Sequence, residues 1–283
     1  MKVYFVADYF IDDIVGGAEK NDAALIMEIE KSHIEVERIR CLELTPEFIE
    51  SNSSSVFIVA NFVSLSYGCL LAFVRTGNHI IYEHDYKIFK NRNPIHYTQF
   101  ISPKSGLTNI NFYKNAYRIV FLSQLQEDIF QRNLPLSNSE NIHCSIFDDK
   151  TLDYISTINS SEKIPKIAIV DSSNPIKKTA AAIQYCESNN LDFDLIKSAD
   201  YFTFLKLLSS YEKLLILAGH PEPTPRIAVE AKMLNTRVLC QKNLIGVASE
   251  EWYPQQGDQL IETIKGLRKQ AGKLFQDLAE NYG

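Results

Sequence analysis

Short, continuous apolar blocks alternate along this chain with longer stretches whose apolar residues fall three and four positions apart. The first pattern belongs to strands buried on both faces, the second to helices that cover them. Strands are expected at residues 2–7, 34–40, 55–60, 79–82, 117–122 and 142–146. Helices are expected between them at 18–31, 46–51, 65–76 and 123–132. Gly77-Asn78 ends the third helix, and Ser123 with Gln126 reads as a capping box at the fourth. Strands separated by helices at this spacing indicate a parallel sheet with both faces covered.

Residues 156–165, STINSSEKIP, are polar and serine-rich and read as a linker. The alternation then restarts, with strands at 166–170, 193–196 and 214–218 and helices at 179–189 and 201–209. Next comes PEPTPRIAVEAKMLNTRVLC, residues 221–240. It reads as a stiff loop, a helix with Pro225 at its first position, and a short strand. An amphipathic helix over roughly 257–281 closes the chain. The repetition is at the scale of a domain: two α/β units, each opening on a short apolar strand and a polar loop.

Composition narrows the class. The chain has 283 residues, 45% hydrophobic and 23% charged, which suits a soluble globular protein with room for two domains. No apolar run approaches the ~20 residues that span a bilayer, and no charged-then-apolar leader opens the chain. Cys41, Cys69, Cys144, Cys186 and Cys240 are odd in number, scattered and free of C-x-x-C spacing. They read as reduced thiols of a cytoplasmic protein. A net charge of −6 argues against a dedicated nucleic-acid binder.

Ligands of open α/β sheets bind beyond the carboxyl ends of the strands. That rule gathers Asp8, Gly16-Gly17 and Glu83-His84-Asp85 in the first unit. In the second it gathers Ser172, Ser173, Lys177, Lys178 and the run from Glu222 to Arg226. Each has an ordinary reading too. The glycine pair forms a turn or lets the backbone meet a phosphate; the lysine pair is solvated or binds an anion; His84 is structural or catalytic. The G-x-G-x-x-G dinucleotide fingerprint is absent, and no Ser-His-Asp context supports a hydrolase.

Glu222 and Glu230 stand eight positions apart, followed by Ala231 and a short strand. This resembles the E-x7-E signature of retaining glycosyltransferases of the GT-B fold, of family-four-like type. Other segments resemble the same family in the same order. They are Gly16-Gly17-Ala18-Glu19, the strand end Phe121-Leu122-Ser123, the segment KIAIVDSSNPIKKT at 166–179 and VLCQKNLIGVASE at 238–250. The resemblance implies an α/β fold of two Rossmann-like domains facing across a cleft. Residues 1–157 would be the acceptor-side domain, 158–255 the nucleotide-sugar domain, and 256–283 a C-terminal helix able to pack back toward the first domain. It implies a nucleotide-diphosphate sugar as donor substrate, with no further cofactor and no metal.

Site residues follow from the resemblance. Glu222 would lie at the transferred sugar and Glu230 at the ribose. Lys177 or Lys178 would neutralise the diphosphate, with Ser173, Thr224 and Arg226 as further donor contacts. Gly16 and Gly17 would approach the donor from the first domain, and His84 or Asp85 would be the polar group beside the acceptor. Where the family carries glycines between its glutamates, this chain has Pro223, Thr224 and Pro225.

One local feature bears on the acceptor. Residues 86–126 contain no Asp or Glu but carry Lys87, Lys90, Arg92, Lys104, Lys114 and Arg118, interleaved with aromatics. Either this is an anion-binding, base-stacking surface with Lys87, Lys90 and Arg92 at the acceptor, or it is a loop packed by its aromatics. The expected acceptor is a glycan or glycolipid, with a hydroxymethylated base in DNA as the alternative. A reading from another class is a nucleotide-sugar-binding module without turnover.

Overall fold

The computed structural model describes residues 2–158 and 162–282. The chain divides into two compact units, one of Met1–Phe147 with Gly266–Gly283 and one of Asp148–Lys265.

The first unit is built on β1 (Lys2–Ala7), β2 (Glu35–Arg40), β3 (Val56–Val59), β4 (His79–Tyr82), β5 (Arg118–Phe121) and β6 (Ser139–Asn141). They pair in parallel in the order β2-β1-β3-β4-β5-β6. Helices α1 (Gly17–Glu30), α2 (Pro46–Ser51), α3 (Tyr67–Thr76), α4 (Ile110–Lys114) and α5 (Gln124–Asn133) fall between the strands. Successive strand residues feed opposite cores. Tyr4, Val6, Phe57, Val59 and Ile81 enter one; Val3, Phe5, Val56, Ile58 and Ile80 enter the other. Burial on both faces is what makes β1, β3 and β4 continuous apolar blocks, each fully buried large side chain contributing about 1.5–3 kcal/mol.

The second unit holds α6 (Asp149–Thr157), β7 (Ile164–Val170), α7 (Thr179–Ser188), β8 (Phe193–Ile196), α8 (Tyr201–Ser209), β9 (Tyr211–Ile216), α9 (Arg226–Met233) and β10 (Arg237–Cys240). Its parallel sheet runs β10-β9-β7-β8. The last helix, α10 (Gly257–Glu280), crosses the division, which falls after Lys265. Beyond it Ala271, Phe275 and Leu278 join Ala24 and Leu25 of α1 in the first unit's core. No helix among the described residues is long and apolar enough to cross a membrane.

Several local expectations shift. Residues 142–146 are not a strand: the pairing ends at Asn141, and His143 takes the left-handed φ of 58° that turns the chain out of the sheet. Of the expected linker at 156–165, Ser156 and Thr157 end α6 and Ile164 opens β7, while 159–161 lie outside the described residues. Helix α6 itself is set by Asp148, whose carboxylate accepts from the Thr151 N–H at 2.7 Å, and by buried Leu152 and Ile155. Pro225 is the residue before α9, not its first. The capping box at α5 is half formed. Ser123 accepts from Gln126 N–H, but the Gln126 side chain accepts from Leu122 N–H instead of closing the box.

Candidate functional site

In the second sheet β8 lies on one side of β7 and β9 on the other, so the chain departs in opposite directions from β7 and β9. The crevice beyond their carboxyl ends is the sheet's switch point. Residues 171–178 follow β7 and residues 217–225 follow β9. Two contacts tie these loops. Gly219 N–H donates to Ile176 O at 2.9 Å, and Lys177 Nζ lies 2.8 Å from Glu222 Oε2. A Cβ at Gly219 would sit 3.0 Å from Lys178 Cε and 3.2 Å from Ile176 O, so glycine is what lets the loops approach this closely. Thr179 closes the first loop by donating its hydroxyl to Val170 O at 2.9 Å.

Lys178 takes a left-handed backbone, φ 51°, as the residue before α7. That conformation costs a non-glycine residue about 1 kcal/mol. The side chain is exposed, and its ammonium has no partner among the described residues. Ser173 is exposed in the same loop. Glu222 is held from both sides by backbone bonds. Its N–H donates to Leu244 O and its carbonyl accepts from Gly246 N–H, each at 2.8 Å. Its Oε2 faces Lys177, and its Oε1 is buried with no hydrogen-bond partner among the described residues.

Arg226 opens α9 and Glu230 follows one turn later. Glu230 Oε1 accepts from the Tyr201 hydroxyl at 2.6 Å and stands 3.7 Å from Arg226 Nε. Burial, together with the Glu230 charge, pushes the Tyr201 hydroxyl well above its ordinary range. The two glutamates therefore differ: Glu222 keeps an unpartnered oxygen at the switch point, while Glu230 is engaged inside α8 and α9. Thr224 is buried between them in sequence. Tyr201 and His220 were not singled out from sequence. His220 Nδ1 lies 2.7 Å from Pro221 O, so it carries the hydrogen and Nε2 is the acceptor of the neutral ring. Its position just after β9 was the available signal.

The first sheet switches between β1 and β3. There the Asp8 carboxylate is already used, accepting from the N–H groups of Val63 and Ser64 at 2.9 and 2.8 Å. Gly16 precedes α1 and Gly17 begins it. A Cβ at Gly16 would meet Glu19 Oε2 at 2.2 Å, so the Glu19 carboxylate lies against it, and burial raises that group.

Beyond β4, Glu83, His84 and Asp85 diverge. His84 Nε2 is 2.6 Å from Asp22 Oδ1, and its Nδ1 is 3.5 Å from Asn21 Nδ2, so both ring nitrogens face α1. Asn21 in turn donates to the Tyr82 hydroxyl at 2.6 Å. Glu83 is fully buried, bonded to Lys87 Nζ at 2.5 Å and to the Tyr113 hydroxyl. Asp85 takes Lys87 Nζ at 2.9 Å and Arg92 Nε at 2.9 Å. Burial pushes Glu83 up to about 7. Burial also opposes the Asp85 charge, but Lys87 and Arg92 outweigh it and hold that carboxyl well below the usual range. Gln126 Nε2 fixes the turn by donating to the carbonyls of Glu83 and Asp85.

This network changes the reading of the basic segment. Lys87 is not a surface cation but the buried centre of an ion-pair cluster, and Arg92 is committed to Asp85. Only Lys90 of the three is exposed with no side-chain partner among the described residues. Tyr86, Phe89, Phe112 and Tyr113 are buried, as in a loop packed by its aromatics.

No protein-family model and no curated protein matches the chain in sequence. Solved structures do match in fold. Alr3699/HepE of Anabaena, in complex with UDP-glucose, is 15% identical with a TM-score of 0.50 over 99% of this chain and 95% of that one. A glycosyltransferase from Rickettsia africae ESF-5 is 11% identical with a TM-score of 0.55 over 99% and 93%. The UDP-GlcNAc 2-epimerase of Methanocaldococcus jannaschii, in complex with UDP-GlcNAc and UDP, is 9% identical with a TM-score of 0.51 over 99% and 100%. At these identities the likeness establishes architecture: the chain has the GT-B fold, with two Rossmann-like α/β units.

Proposed function

We propose that this chain is a metal-independent glycosyltransferase that moves a sugar from a nucleotide-diphosphate sugar to a hydroxyl acceptor, with retention, in the cytoplasm. The observation that carries this reading is the second unit's switch point, where a buried Glu222 Oε1 without a partner sits on the loop tied to the Lys177-Lys178 loop. An unpartnered buried carboxylate oxygen calls for a donor, and a sugar hydroxyl supplies one. Lys178 and Arg226 supply positive charge for a diphosphate, Arg226 as a bidentate fork. The transfer breaks the bond from sugar C1 to the diphosphate oxygen and forms one from C1 to the acceptor oxygen. The acceptor proton leaves with the nucleoside diphosphate. Retention rests on the E-x7-E spacing. For Glu230 to hold the ribose, the ribose must share that carboxylate with Tyr201. Bound UDP-glucose in the Anabaena neighbour and UDP-GlcNAc in the epimerase support a nucleotide-sugar ligand.

Titration with UDP and with UDP-, GDP- and ADP-sugars, followed by product analysis with and without an acceptor, tests this. The expected result is binding with slow donor hydrolysis, and loss of turnover in Glu222→Gln. Binding with neither transfer nor hydrolysis makes the chain a binding module. Conversion of UDP-GlcNAc to its 2-epimer assigns it the isomerase chemistry found on the same fold.

A further inference from the structure

Helix α3 buries Cys69, Ala72 and Phe73 and presents a second apolar face. On that face Tyr67, Leu70, Leu71 and Val74 line a cavity of about 440 Å³ with Ile110 and Phe112 of α4. Tyr67 is 75% exposed and Leu71 39%. Through Leu70, Thr108 and Asn109 it shares lining with a smaller cavity of about 180 Å³. The smaller cavity lies where the chain leaves β3 and β4, at the carboxyl edge of the first sheet, and Lys87, Lys90 and Arg92 line it. Neither lining includes an Asp or Glu.

An open apolar groove of this kind marks a binding site, and a cationic mouth selects an anion. From Tyr67 to Val74 the helix runs about 10 Å, the length available to a tail. We propose that the groove binds an amphiphile, its hydrocarbon tail along α3 and its phosphate-class headgroup at Lys90, the uncommitted cation of the mouth. The binding stands on this geometry; only the amphiphile's role as sugar acceptor rests on the transferase reading. DNA fits less well. Tyr86, Phe89, Phe112 and Tyr113 are buried and offer no face to a base, and two of the three cations at the mouth are paired with Glu83 or Asp85.

Calorimetric titration of the full chain with butyl, hexyl, octyl and decyl phosphate, each below its aggregation concentration, tests the proposal. Affinity is expected to rise up to about fourfold per added methylene until the groove is filled, then to level, with inorganic phosphate weaker than all four. Leu71→Asp should abolish the dependence on tail length. Lys90→Glu should weaken every alkyl phosphate about tenfold while keeping the step per methylene. UDP affinity should be the same in both variants. Affinity independent of tail length overturns the proposal. So does duplex DNA binding lost in Lys90→Glu with no alkyl phosphate bound, or a dimer that Leu71→Asp dissociates, which makes the groove an interface between copies. Alkyl phosphate binding as expected in a protein that binds no nucleotide leaves the groove standing and removes the transferase reading.

Discussion

Lys177 and Glu222 form an ion pair between the loops after β7 and β9, Nζ to Oε2 2.8 Å, while the ammonium of Lys178 next to it has no partner among the described residues. An anion arriving at the switch point therefore meets one committed lysine and one uncommitted one. Lys178→Ala is expected to weaken UDP binding by about tenfold or more, the worth of one charge-assisted hydrogen bond. Lys177→Ala should change UDP affinity by less than about threefold, because its charge is spent on Glu222 and its half-exposed pair is screened. Calorimetry on the two variants decides. Equal losses would mean that Lys177 leaves Glu222 for the phosphate.

Gly219 is the contact point of the same loops. Adding a methyl there meets the flexible end of Lys178 at 3.0 Å and the backbone carbonyl of Ile176 at 3.2 Å. The lysine can move aside, but the carbonyl must shift with its loop. Gly219→Ala is expected to cost about 1 kcal/mol of stability and to weaken UDP binding beyond that of the parent, because Lys178 is displaced. An unchanged UDP affinity at full stability would show that the loops tolerate separation.

The alternation of strands and helices was legible chiefly through the central strands of the first sheet, β1, β3 and β4, whose burial on both faces writes them as apolar blocks. The elements that were missed lack that signature. Helix α6 is announced only by Asp148 and two buried residues, Leu152 and Ile155. The converse error is residues 142–146, as apolar as a strand but turned out of the sheet at His143. At the site, residues 221–240 read as a loop, a helix and a strand, and Glu222 lies in the loop after β9 and Glu230 in α9. The spacing of the two glutamates was silent on partners from other elements, so Tyr201 went unnoticed. The basic stretch hid its partners for a related reason. Its acids, Glu83 and Asp85, stand just before residue 86, and the fold returns Lys87 and Arg92 to them.

The Lys87 cluster sets a stability prediction. Lys87→Met leaves Glu83 buried without its cation and Asp85 with Arg92 alone, and should cost about 3–5 kcal/mol by denaturant unfolding. Replacing Glu83 as well, in Lys87→Met with Glu83→Leu, should recover part of that loss.

Glu83 also sets a pH dependence. Its folded value, about 7, is above that of the unfolded chain, so between the ordinary carboxylate range and pH 7 the folded protein holds a proton the unfolded chain has released. Its contribution to stability therefore falls as pH rises through that window. Asp85 has the opposite sign and acts lower, losing its contribution as pH falls through its depressed value. Unfolding free energies across pH 4 to 8 should slope downward from Glu83 in the parent and be flatter in Glu83→Gln. The same slope in both proteins would place the proton elsewhere.

His84 joins the turn after β4 to α1 through Asp22, at 2.6 Å, and the second oxygen of Asp22 is buried with no hydrogen-bond partner among the described residues. Among the described residues the histidine is thus the side-chain partner of a buried carboxylate, and its other nitrogen faces Asn21. His84→Ala is expected to cost about 1–3 kcal/mol, the penalty of leaving that carboxylate unsatisfied. Asp22→Asn keeps a hydrogen bond to the ring without the charge and should cost less than half as much. Nucleotide affinity should be unchanged in both, since no donor contact is proposed at either residue. Wild-type unfolding midpoints together with lost sugar transfer would reverse this assignment and return His84 to the reacting centre; lost midpoints with retained transfer in the folded fraction would fix it as the clasp between α1 and β4.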